Sequence, residues 1–88
     1  MNNYYVILSR NSIKSLNKID VKYTDKIKTF LKSLEMGPYV NGYDIKKMAG
    51  EDGMYRCRIG VYRVVYTVKN NEVIIVVLDI DHRKDIYK

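Results

Sequence analysis

The sequence predicts an α+β fold: an N-terminal strand and two helices packed on one face of a mainly antiparallel sheet of four to five strands. Three observations predict it. Apolar residues recur at helical spacing between Ile13 and Leu34. From Met54 onward the pattern changes to alternation, with arginines on one parity and tyrosines and aliphatic residues on the other. Two turn signals, Gly60-Val61 and Asn70-Asn71, then divide the C-terminal half into a β meander.

Each element follows from its residues. Tyr4 to Leu8 is short, β-branched and aromatic, the signature of a strand. Ser9 or Asn11 can cap the next helix, which sets Ile13, Leu16 and Ile19 on one face and Lys14 and Lys18 off it. A second helix carries Tyr23, Ile27, Phe30, Leu31 and Leu34 as an apolar stripe for packing on the sheet. Gly37-Pro38 ends it, and a loop runs to Tyr43. Ile45 to Ala49 reads as a short strand, followed by a turn at Gly50-Glu51-Asp52-Gly53. In Gly60-Val61 the glycine supplies the positive φ of a two-residue type II′ hairpin. Asn70-Asn71 is a second two-residue turn of type I′ character, because asparagine tolerates the left-handed region. Val73 to Ile80 is nearly all apolar and belongs inside the sheet.

The composition bounds the function. At 88 residues the chain is expected to form one domain, and 47% apolar with 30% charged residues is the profile of an ordinary folded protein. The longest apolar run, Val73 to Leu78, is far short of the roughly 20 residues that cross a bilayer, so no membrane role is expected. The N-terminal residues lack the pattern of a secretory signal, and Cys57 is the only cysteine. The cytoplasm is the expected location. No phosphate-binding glycine loop or Ser-His-Asp order is present, and no small-molecule cofactor is implied. Asp79, Asp81, His82 and Asp85 could be imagined around a metal, but strand alternation splits their directions, and no metal is expected.

A net charge of +6 and a pI near 9.4 favour an anionic partner, either nucleic acid or an acidic protein. The lysines at 14, 18, 22, 26, 28 and 32 read as a solvated helical surface. Four of the five arginines fall at 56, 58, 63 and 83, and arginine offers the planar fork that suits phosphate oxygens. A two-residue turn at Gly60-Val61 places Arg58 opposite Arg63, Arg56 opposite Val65 and Met54 opposite Thr67. All three arginines then share one face, and Tyr55, Cys57, Ile59, Tyr62, Val64 and Tyr66 share the helix-facing one.

Like charges directly opposite are unfavourable by a few tenths to roughly 1 kcal/mol. Either an anionic ligand or an internal carboxylate relieves that, and Glu51, Asp79 and Asp81 are available. A two-residue turn at Asn70-Asn71 sets Arg63 beside Leu78, after which the chain leaves the sheet. His82 then lies within about 13 Å of that point, and Arg83 and Tyr87 can fold back. Arg56, Arg58, Arg63, His82, Arg83 and Tyr87 thereby converge on one edge.

Such a set suits phosphate chemistry. Arginines can hold a phosphate and offset charge developing on it. His82 has the pKa range for proton transfer near neutral pH. Tyr87 could transfer a proton or stack on a base.

The segment Tyr-Arg-x-Arg-Ile-Gly-x-Tyr-Arg-Val-Val-Tyr at 55–66, the His-Arg-Lys-Asp-Ile-Tyr ending at 82–87, and Lys46-Lys47-Met48-x-Gly50 resemble the RelE/ParE superfamily of toxins from toxin–antitoxin pairs. The resemblance covers nearly the whole chain and implies the same strand, two helices and basic sheet. It also implies a cognate antitoxin as partner. RelE-like members cut mRNA on the ribosome; ParE-like members inhibit DNA gyrase. By resemblance to the former, Arg56, Arg58, Arg63, Arg83 and Tyr87 fill catalytic positions, with His82 in place of a lysine. Lys46 and Lys47 join Arg56 and Arg58 as RNA-binding residues. A non-catalytic RNA-binding module is a third possibility.

Overall fold

A computed structural model describes residues 3–50 and 53–82. Five strands form one sheet: β1 (Tyr5–Leu8), β2 (Asp44–Lys47), β3 (Met54–Ile59), β4 (Tyr62–Lys69) and β5 (Ile74–His82). Their order is β1-β5-β4-β3-β2, with β1 parallel to β5 and every other pair antiparallel. Helices α1 (Arg10–Lys18) and α2 (Val21–Ser33) lie between β1 and β2 in the chain and cover one face of the sheet. This is the α+β architecture expected.

The core is the α2 stripe against the inward parity of the strands. Ile27, Phe30, Leu31 and Leu34 are buried with Cys57, Ile59, Val64, Tyr66, Ile75, Val77 and Ile80. Fully burying one such side chain contributes about 1.5–3 kcal/mol. The Asp20 side chain accepts from the Lys22 N–H to start α2, and a 3₁₀ turn at Leu34–Met36 stops it at Gly37.

Helix α1 sets Leu16 and Ile19 against the core as expected, but not Ile13. Ser9 is its N-cap, accepting from the Ser12 N–H at 3.1 Å. Ser12, fully buried, faces the sheet with Leu16, whereas Ile13 is half exposed. The single Ser12 O–H, shared between the Ser9 carbonyl at 2.8 Å and the Val77 carbonyl at 3.2 Å, turns the helix this way.

The first hairpin has the expected register, with Ile59 opposite Tyr62 and Gly60 at φ 59. A Cβ on Gly60 would stand 2.4 Å from Cε1 of Tyr23, so both conformation and packing require glycine here.

The second hairpin does not. Its connection is a 3₁₀ turn at Asn70–Glu72 followed by Val73 in the left-handed region, φ 56, so the loop holds four residues rather than two. A β-bulge follows: Tyr66 pairs with Val77 and Val65 with Asp79, leaving Leu78 as the extra residue. Arg63 therefore lies opposite Asp81, not Leu78, and β5 continues to His82. The cause is tertiary. The N-terminal segment holds the loop, with the Tyr4 hydroxyl on the Asn70 side chain at 3.1 Å and the Tyr5 N–H on the Val73 carbonyl at 2.9 Å. Ser9 donates through its hydroxyl to the Leu78 carbonyl at 2.8 Å, at the bulge itself.

Candidate functional site

The face away from the helices carries the arginines. Across four strands one row reads Asp44, Arg58, Arg63, Asp81, each directly opposite the next. The adjacent row reads Lys46, Arg56, Val65, Asp79. With neighbouring strands about 4.8 Å apart, each row spans about 14 Å. Arg63, on the central strand, is only 7% exposed, while Arg56 is half-buried and Arg58 and Lys46 are exposed.

Carboxylates flank the two opposed arginines. Arg58 approaches Asp44 at 3.7 Å, with both side chains well exposed, and Asp81 stands across from Arg63. An exposed pair of this kind contributes at most about 1 kcal/mol. It can therefore give way to a stronger anion. Phosphate is one, because a guanidinium binds it through two parallel hydrogen bonds.

Asp79 and Asp81 are two residues apart on the same face. The Asp81 carboxyl is pushed up to about 6 by a hydrogen bond with Asp79, by burial, and by the charge of Asp79. Asp79 is itself fixed, accepting from the Ile80 N–H at 3.0 Å.

The bulge separates His82 from the arginines. His82 pairs with Tyr62 and shares its parity, which is the helix-covered side. Its ring meets that of Tyr62 edge-on at 5.4 Å, and Tyr62 meets Tyr23 at 5.2 Å. Lys18, Ile19, Tyr62 and His82 line a depression there of about 250 Å³. The expected convergence of His82 on the arginine face is thus corrected, and the reason is the extra residue at Leu78. Lys47 likewise pairs with Tyr55 on the helix side, opposite to Lys46, and is exposed at the sheet edge. Arg83 and Tyr87 lie outside the described residues, as do Glu51 and Asp85.

Cys57 is buried on the helix side, and burial with the nearby charge of Asp44 pushes its thiol up to about 12, which suits a core position rather than a nucleophile. Sequence reasoning missed Asp44, and it placed Asp79 and Asp81 as available counter-ions and, with His82 and Asp85, in a metal set that it set aside. The alternation Asp79-x-Asp81 was a usable signal for the second pair; Asp44 needed the register of β2.

Fold and site together define a small basic sheet protein that presents its cations from strands. The chain belongs to the family described as the ParE toxin of type II toxin–antitoxin systems, whose model matches residues 6–87. It is a RelE-like member in sequence and fold. It is 31% identical over 86 residues to the Methanocaldococcus jannaschii protein named "Putative toxin RelE1", covering 97% of this chain and 96% of that one. A chain of the archaeal RelE–RelB complex from Pyrococcus horikoshii OT3 superposes with a TM-score of 0.82 at 28% identity, covering 94% of this chain and 97% of that one. A chain of the RelB–RelE antitoxin–toxin complex from Methanococcus jannaschii gives 0.80 at 27% identity, with 92% and 94% covered. Among the described residues, no helix is long and apolar enough to cross a membrane.

Proposed function

We propose that the chain is an endoribonuclease toxin that cleaves mRNA on the ribosome in the cytoplasm and is restrained by a cognate antitoxin. The observation that carries this reading is the direct opposition of Arg58 and Arg63, with Arg56 on the same face one position along. These three guanidiniums hold the scissile phosphate and stabilise its extra charge as the 2′-OH attacks. Lys46, on the same face, steers the strand toward them. Arg83 and Tyr87 enter through the family resemblance alone. His82, across the sheet from the arginines, is not assigned a proton-transfer role. The antitoxin reading is supported by the relatives, which were crystallised as RelE–RelB complexes.

The test is to add the purified chain to ribosomes translating a defined mRNA and map the ends produced. Cuts in the A site that disappear with Arg58→Ala and Arg63→Ala support the reading. A second reading, inhibition of DNA gyrase, is favoured by the family model itself, which is that of ParE. Intact mRNA together with blocked supercoiling would establish it instead. Salt-sensitive RNA binding without either effect would mark a non-catalytic module.

A further inference from the structure

Among the described residues, the nuclease reading assigns no acceptor for the proton of the attacking 2′-OH, since guanidiniums stay protonated and His82 faces the other way. The bulge at Leu78 supplies one. By adding a residue to β5 it turns Asp79 and Asp81 onto the arginine face, Asp81 directly across from Arg63 and one strand further from Arg58. Among the described residues, the charged groups beside Asp81 are Asp79 on its own strand, Arg63 opposite it on β4, and Lys18 and His82, which line one depression with it; β1 ends at Leu8, paired with Val77, before reaching this level. Helix α1 packs on the opposite face, and its Lys18 reaches Asp81 only across the depression at the sheet end.

A carboxylate that merely neutralised Arg63 would need no second acid beside it, and its proton would be lost more readily than usual. Here the proton is held more tightly, up to about 6, because Asp79 hydrogen-bonds to it and repels its charge. That places the carboxylate close to the basicity at which proton abstraction near neutral pH is most effective.

We propose that Asp81, in register with Arg63 and oriented by Asp79, is the general base of this site. The inference rests on the nuclease reading above. The Asp81 carboxylate takes the proton from the 2′-oxygen as the O2′–P bond forms. The P–O5′ bond breaks, and the 5′-oxygen takes a proton from water. Arg58 and Arg63 hold the phosphate throughout. Asp81 then returns its proton to solvent, leaving a 2′,3′-cyclic phosphate and a 5′-hydroxyl, with nothing oxidised or reduced. Asp79 is a positioning residue.

Single-turnover cleavage of ribosome-bound mRNA by the full chain, measured from pH 5 to 8, tests this. The wild-type rate should climb about tenfold per pH unit below roughly pH 6 and then level. Asp81→Asn should cut at least ~100-fold more slowly and lose that rise. It should bind no more weakly than wild type to an mRNA carrying one 2′-deoxynucleotide at the cut position. Asp81→Glu should recover part of the rate, and Asp79→Asn should move the rise to lower pH. A melting curve confirms that each variant is folded. Folded Asp81→Asn cutting at the wild-type rate, or cutting slowly with the same pH rise, overturns the proposal. If Arg58→Ala abolishes cleavage in that case, the nuclease reading stands and the base assignment alone fails. A wild-type chain that makes no cut overturns both.

Discussion

The Ser9 hydroxyl donates to the Leu78 carbonyl at 2.8 Å, joining the cap of α1 to the one residue of β5 that has no partner on β4. Ser12 adds a second bond to the neighbouring Val77 carbonyl. A bulge leaves ladder groups unpaired, and unpaired buried carbonyls are costly. The Ser9 hydroxyl satisfies the Leu78 carbonyl, while the Val77 carbonyl accepts from the Ser9 N–H at 2.9 Å as well as from Ser12. The two serines thereby fix the parity of Asp79, Asp81 and His82.

Ser9→Ala removes a helix cap and a bulge contact together. It is expected to cost about 1–2 kcal/mol, lowering the melting temperature by roughly 4–8 °C per kcal/mol. Because the two hydroxyls are also 3.2 Å apart, Ser9→Ala and Ser12→Ala should be non-additive in a double-mutant cycle of urea unfolding.

The two opposed arginines should respond differently to truncation. Arg58→Ala removes an exposed pair with Asp44 and a like-charge contact, so stability should change by less than about 1 kcal/mol. Arg63→Ala empties a buried position beside Asp81 and should cost roughly 2 kcal/mol or more. If the arginine face binds RNA, each truncation should also flatten the salt dependence of binding by about one phosphate contact.

The raised Asp81 carboxyl gives a pH signature. Its value in the folded chain, about 6, exceeds the ordinary 3.8. The folded state therefore binds more protons than the unfolded state between these values. This group's contribution to stability is greatest below about pH 4 and is lost as pH rises through 6. Asp81→Asn should melt progressively higher relative to wild type as pH goes from 4 to 7. A difference that does not vary with pH would refute the assignment.

Gly60→Ala should destabilise by about 2 kcal/mol or more. It combines a left-handed φ with a Cβ only 2.4 Å from the Tyr23 ring. Chemical denaturation of Gly60→Ala beside Val61→Ala, at the other position of the same turn, measures it.

Cys57 should be inert to a chromogenic thiol reagent in the folded chain and react fully after unfolding. Its side chain is buried and its thiol is held protonated up to about pH 12. Rapid labelling at neutral pH without denaturant would contradict the core placement.

Much of this molecule was determined by the sequence alone, and the boundary has a physical cause. The apolar stripe Ile27–Phe30–Leu31–Leu34 and the strand alternation in 54–66 are local periodicities, and both gave the right faces. The register of β3 on β4 is also local. One glycine with a positive φ fixes a two-residue turn, and every pair after it follows, including Arg58 with Arg63. The register of β5 is not local. Val73 adopts a left-handed backbone that its own side chain disfavours, and Tyr4, Tyr5, Ser9 and Ser12, more than sixty residues earlier, hold the loop and the bulge. Because side chains alternate with period two, a single extra residue exchanges the faces. The sequence thus determined that three arginines share a face. Only the tertiary structure decided that Asp79 and Asp81, not His82, stand beside them.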